Sequence, residues 1–162
     1  MHRSVLRLLA AACCAAPLTA QEPPAAKAVS FLVVGDWGHA GEGAQRAVAA
    51  QMAAAARSTK ADFVISVGDL FYPDGVASVD DPQWRTSFED VYAQFALYIP
   101  WYVVLGNHEY RGNPQAIVDY GRRARRWRMP GRYYDVKVPV GTGATAEFLF
   151  IDTRDRKSTR LN

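Results

Sequence analysis

At 162 residues and 49% apolar side chains, the chain has room for one modest domain with a genuine core. Its formal charge of +3 comes from the two ends: residues 21–154 hold 14 Lys and Arg against 15 Asp and Glu, which removes any charge-based case for nucleic acid or an anionic membrane. Both cysteines, Cys13 and Cys14, lie within residues 1–20, so a processed chain has no thiol for a disulfide framework or a cysteine metal site.

Residues 1–20 read as a secretory signal peptide. His2, Arg3 and Arg7 form a basic start, Leu8 to Leu18 is apolar, and Leu18-Thr19-Ala20 is a tolerable cleavage site. The apolar stretch is too short for a stable membrane anchor, and Ala10-Ala11-Ala12-Cys13 is a poor lipobox. The expected location is secreted or periplasmic. Residues 21–28, with Pro23-Pro24, form a linker, and the domain is expected over 29–154.

Within the domain, Val29 to Val34 is a continuous apolar run ended by Gly35, which predicts a buried strand. The Ala-rich stretch from Glu42 to Arg57 predicts a helix, and Phe63 to Val67 a second strand. Asp80-Asp81-Pro82 supplies a carboxylate cap and a first-turn proline for a helix. Its apolar face would be Trp84, Phe88, Val91, Tyr92 and Phe95. Pro100 ends that region. Trp101 to Leu105 predicts a third strand and Pro114 to Arg126 a third helix. The basic run Arg122, Arg123, Arg125, Arg126 and Arg128 reads as a solvated helix face rather than a polyanion site. Tyr133 to Val140 and Glu147 to Ile151 predict two strands joined by Gly141-Thr142-Gly143, the second reading as buried. The tail Asp155-Arg156-Lys157-Ser158-Thr159-Arg160-Leu161-Asn162 reads as the translation of a common sequencing adapter and is set apart from the fold.

The order β-α-β-α-β-α-β-β predicts an α/β fold: mostly parallel βαβ units, then antiparallel strands. Such sheets bind ligands beyond the carboxyl ends of their strands. Three motifs occupy those ends: Val33-Val34-Gly35-Asp36-Trp37-Gly38, Val67-Gly68-Asp69-Leu70-Phe71-Tyr72 and Leu105-Gly106-Asn107-His108-Glu109. Asp36, Asp69 and Asn107 are hard oxygen donors suited to Fe, Mn, Mg or Zn, and their intervals of 33 and 38 residues fit one βα unit each. A carboxylate on the middle strand can bridge two cations about 3.5–4 Å apart, which together hold a phosphate. Tyr72 adds a donor that favours a ferric ion as phenolate. His108 is placed to orient a phosphate or protonate a leaving oxygen. Any one of these residues alone would more often be a turn, cap or core residue; the three strand-end motifs together are specific.

On these motifs the chain resembles the calcineurin-like metallophosphoesterases. Within them it is most similar to the small, tartrate-resistant purple acid phosphatases, from Ser30 to Thr153. Ser87-Phe88-Glu89-Asp90-Val91-Tyr92, Pro100-Trp101-Tyr102-Val103, Arg126-Trp127, Tyr133-Tyr134 and Ile151-Asp152-Thr153 share the likeness. The resemblance implies the N-terminal half of an αββα sandwich. It implies a dinuclear centre of Fe(III) with Fe(II), Zn or Mn. Asp36 and Tyr72 would bind the ferric ion, Asp69 would bridge, Asn107 would bind the divalent ion, and His108 would stand beside the substrate.

Gly38 stands where many relatives carry a metal-binding His, and together with Tyr72 this is the purple-phosphatase arrangement; His39 is one residue later. Leu70 replaces a usual Asn, and Glu109 a usual Asp. Three further His ligands expected downstream have no counterpart, because only His39 and His108 follow residue 20. The implied activity of the complete protein is hydrolysis of a small phosphomonoester, with no nucleic acid or membrane partner. A phosphodiesterase or nucleotidase on the same scaffold is the alternative within the class. Outside it, these 162 residues alone would be an inert fragment.

Overall fold

Four short strands lie parallel in the order β1 (Phe31–Val34), β2 (Phe63–Ser66), β3 (Trp101–Val103) and β4 (Trp127–Arg128). The computed structural model describes residues 28–154. The signal-peptide reading, nearly all of the linker and the adapter-like tail lie outside the described residues. Helix α1 (Gln45–Thr59) connects β1 to β2, and α2 (Pro114–Asp119) lies between β3 and β4. Strands β5 (Tyr133–Val140) and β6 (Ala144–Ile151) form a separate antiparallel hairpin in which Val140 pairs with Ala144, so Gly141 to Gly143 make the turn.

The register of the parallel sheet divides its side chains into two faces. Leu32, Val34, Val64, Trp101 and Val103 point one way, into the core with Ala49, Ala53 and Ala56 of α1. The alanines recur at helical spacing, and their small side chains let the helix backbone come close. On the other face Phe148 meets Phe31 and Phe63 edge-on, with ring centroids 5.3 and 5.4 Å apart. Tyr134 stacks on Phe150 at 4.5 Å and ties its hydroxyl to both the N–H and the carbonyl of Val103, each at 2.8 Å. Helical segments, parallel sheet and hairpin thus form three layers, as the expected α/β architecture requires. Trp37, Phe71, Trp84, Phe88, Tyr92, Trp101 and Trp127 fill the core directly beneath the strand exits.

Several expectations are corrected. Residues 84–95 do not form one helix. Trp84–Glu89 is a π-helical turn closed by Asp90 N–H to the Arg85 carbonyl at 2.9 Å, and Phe95–Leu97 is a separate 3-10 turn. Phe95 is 94% exposed and leaves the apolar face. Arg126 explains the break: its Nη1 donates to the Tyr92 carbonyl at 2.6 Å and its Nη2 pairs with Glu89 at 2.8 Å. The guanidinium also lies over the Phe88 ring at 4.1 Å. Arg126 is therefore buried rather than part of a solvated face.

The helix expected over 114–126 stops at Asp119. Asn113 caps its start, accepting from Gln115 N–H and Ala116 N–H at 3.1 and 3.3 Å. A 3-10 turn over Tyr120–Arg122 follows, and Trp127–Arg128 then pairs with β3 as a fourth parallel strand. β1 and β6 are less buried than their apolar sequences predict. Val33 is 58% exposed, because the hairpin covers only part of the outer sheet face, and Leu149 and Ile151 are 69% and 56% exposed, because they alternate with Phe148 and Phe150 and point away from the sheet.

Candidate metal centre

The exits of β1 and β2 are joined backbone to backbone. Asp36 N–H donates to the Gly68 carbonyl at 3.1 Å, and Trp37 N–H to the Asp69 carbonyl at 3.2 Å. Both aspartates are left-handed, with φ of 56° and 48°. That conformation costs an L-residue about 1–2 kcal/mol, is most tolerable for Asp and Asn, and clusters at functional sites. Two glycines allow the third exit and the phenol to close in. A Cβ on Gly106 would stand 2.2 Å from Asp69 Oδ1, so only glycine lets the β3 exit press against that carboxylate. A Cβ on Gly38 would stand 1.8 Å from the Leu70 carbonyl oxygen, while the Gly38 carbonyl accepts Tyr72 N–H at 2.8 Å. Gly38 and Tyr72 are thus one structural feature: any side chain at 38 would push away the segment that delivers the phenol.

The expected ligands do converge. Tyr72 directs its hydroxyl at Asp36 Oδ1, 2.8 Å away, and at Asp69 Oδ2, 3.3 Å away. Asp69 Oδ1 accepts His108 N–H at 3.1 Å. Asn107 lines one cleft with Asp36, Gly68, Asp69, Gly106 and Thr153, with a volume near 390 Å³. Burial holds the Tyr72 phenol well above its ordinary value, and the hydrogen bond to Asp36 and the Asp69 charge push the same way. A cation among these oxygens would reverse that electrostatic sign and favour the phenolate.

Two carboxylates, a phenol and an amide are hard donors that fit Fe, Mn or Zn. Among the described residues there is no cluster of three or more His, Cys, Asp or Glu, so the phenol and amide are needed to extend the carboxylate pair. Asp36, Asp69, Tyr72 and Asn107 are the residues here that could hold a cation.

His108 lies beside the centre, its ring 4.4 Å from that of Tyr72. Its Nδ1 contacts the Pro73 carbonyl oxygen. A carbonyl only accepts, so Nδ1 carries the proton and Nε2 is the nitrogen free for substrate chemistry. His39 stacks flat on the Tyr72 ring, 4.4 Å away and 7° from parallel. It lines a neighbouring cavity of about 890 Å³ with Trp37, Gln45 and Tyr92, not the cleft holding Asp69 and Asn107.

Glu109 is the residue that sequence reasoning undervalued. Completely buried, it accepts Leu70 N–H at 2.7 Å, Phe71 N–H at 3.2 Å and Gly106 N–H at 2.7 Å. Burial raises its pKa, while those three amides act in the opposite sense. The available signal was a carboxylate directly after Asn107-His108 at a strand exit. Leu70 is fully buried and reaches Glu109 through its backbone N–H.

Residues 29–158 match the family model described as calcineurin-like phosphoesterase. The chain belongs to the calcineurin-like phosphoesterases. It is similar to purple acid phosphatase 7 of Arabidopsis thaliana, 42% identical over 125 residues, covering 77% of this chain and 37% of that one. It is also similar to tartrate-resistant acid phosphatase type 5 of Rattus norvegicus, 36% identical over 146 residues, covering 85% of this chain and 44% of that one. Among solved structures it matches GAP50, the anchor in the inner membrane complex of Plasmodium, with a TM-score of 0.69 and 27% identity over 82% of this chain and 44% of that one. The chain therefore spans less than half the length of each of these proteins.

Proposed function

We propose that the complete protein is an acid phosphatase of the purple type, hydrolysing small phosphate monoesters at a dinuclear metal centre. The observation that carries this reading is the approach of the Tyr72 hydroxyl to Asp36 and Asp69 at one sheet edge. In this reading Asp36 and Tyr72 hold Fe(III), Asp69 bridges, and Asn107 holds Fe(II), Zn or Mn. When bound, such a pair supplies Lewis acidity toward phosphate and water.

The chain's own groups do the rest. Asp36 and Asp69, both in left-handed turns, each bring a carboxylate oxygen to the Tyr72 hydroxyl. His108, with Nδ1 committed to Pro73, presents Nε2; as an imidazolium it donates a proton to the departing alkoxide oxygen. The pattern of residues 1–20 supports a secreted or periplasmic location. No helix among the described residues is long and apolar enough to cross a membrane.

The test is metal content and substrate preference of the purified full-length protein. The reading expects two metal ions per chain and faster hydrolysis of phosphomonoesters than of diesters or nucleotides. A preference for diesters or nucleotides would move the assignment to the alternative on the same scaffold. A shared fold does not by itself fix function, and the structural neighbour GAP50 is named as an anchor. A second reading concerns these 162 residues alone: the exposed Val33, Val67, Leu149 and Ile151 favour an inactive, self-associating piece. Metal titration of this piece distinguishes the two, since tight binding of two ions would contradict inactivity through missing ligands.

A further inference from the structure

We propose that Glu109 is the positioning residue of the metal centre, a single buried carboxylate that fixes three proposed ligands at once. The proposal rests on the two-metal reading. Each amide that Glu109 holds is next in sequence to a proposed ligand. Leu70 follows Asp69, Phe71 precedes Tyr72, and Gly106 precedes Asn107. Oε1 takes the Leu70 and Phe71 amides, and Oε2 takes Gly106, so the same side chain spans the exits of β2 and β3.

Asp69 Oδ1 also ties the β2 exit to His108 N–H, but among the described residues Glu109 is the carboxylate that accepts backbone amides from both exits. The contact between Gly106 and Asp69 is too close for any side chain, so the two loops need a tie rather than packing to hold their spacing. Bonds from amides to a carboxylate are short and about twice as strong as neutral ones. Removing a partner that orients metal ligands typically costs about 10–100-fold in metal affinity.

Glu109→Gln separates positioning from bulk. Gln has the same shape, but its NH₂ must face either Gly106 N–H or the Leu70 and Phe71 N–H groups, donor against donor. Ile117→Ala, which opens a cavity at a fully buried α2 residue that makes no hydrogen bond to Glu109, serves as the stability control. In the metal-free full-length protein, the amides of Leu70, Phe71 and Gly106 should exchange with solvent at least about tenfold faster in Glu109→Gln and keep their rates in Ile117→Ala. In the metal-loaded protein, Glu109→Gln should lose about 10–100-fold in affinity by chelator competition and shift the tyrosinate absorption band, while Ile117→Ala lowers Tm with both unchanged.

If Glu109→Gln does not fold, Glu109→Asp keeps the charge but shortens the reach, and a smaller loss of affinity is expected. Unchanged amide exchange in Glu109→Gln would overturn the clamp. Unchanged affinity and band in that variant or in Glu109→Asp, or an equal loss in Ile117→Ala, would overturn the positioning role. A wild-type protein that binds no metal pair overturns the two-metal reading and the metal-directed role with it, while the exchange result still decides the clamp.

Discussion

The strand-exit edge and the outer sheet face of the same domain are finished to very different degrees. At the exit edge, Asp36, Asp69, Tyr72, His108 and Glu109 are tied to one another or to neighbouring backbone within 3.3 Å. Val33, Val67, Leu149 and Ile151, in contrast, lie open to solvent, each more than half exposed. The contrast teaches that the geometry of the site is local. It is held by backbone bonds, two close-packed glycines and one buried carboxylate, over an aromatic core that is closed. The outer face, by contrast, depends on further apolar cover to be dry.

The sharpest break of this contrast is at the bridging position. Asp69→Ala in the full-length protein should abolish binding of both metals, a loss of at least about 100-fold in affinity, read by metal analysis. Retention of two ions would remove Asp69 from the centre. Next is Gly38→Ala, whose Cβ would meet the Leu70 carbonyl at 1.8 Å. A cost of about 3 kcal/mol or more is expected in denaturant unfolding, with loss of the Tyr72 contact. A variant of wild-type stability would show that the loop yields freely.

Arg126→Ala should cost about 2–3 kcal/mol, because it leaves the Tyr92 carbonyl and Glu89 without their cationic donor. At the open face the expected effect is smallest: Leu149→Thr should alter stability by less than about 0.5 kcal/mol, yet reduce self-association in light scattering.

A titration sharpens the picture of the closed core. Burial pushes the Tyr92 hydroxyl from 10.0 up to about 12. The folded value lies above the unfolded one, so the unfolded chain ionises first. This contribution to stability is complete below pH 10.0 and is lost as pH rises through about 12. Burial raises Tyr72, Tyr120 and Tyr134 as well, so unfolding measured across that window should show the decline, and Tyr92→Phe should make it shallower without abolishing it.

Much of the candidate site was legible because its donor residues follow apolar runs that end in glycine, a pattern that packing alone rarely needs. Asp36, Asp69 and Tyr72 meet as those runs imply. Glu109 was not legible, because it acts on backbone amides, which carry no residue-specific signal. The parallel strands and the hairpin followed from the apolar runs and the Gly141-Thr142-Gly143 turn. The helix expected through Phe95 failed where periodicity competed with a distant partner: Arg126 takes the Tyr92 carbonyl, and the chain turns out. β4 is two residues long, too short for any period to announce it. β6 was misjudged because Leu149 and Ile151 are apolar on the solvent side, which flattens the alternation that the inward Phe148 and Phe150 would otherwise display.

The visible spectrum of the metal-loaded full-length protein, compared with its Tyr72→Phe variant, tests the central claim most directly. A charge-transfer band in the wild type that disappears in Tyr72→Phe, with two metals still bound, is the predicted result. An unchanged band in the variant would contradict a tyrosinate–iron bond at this site.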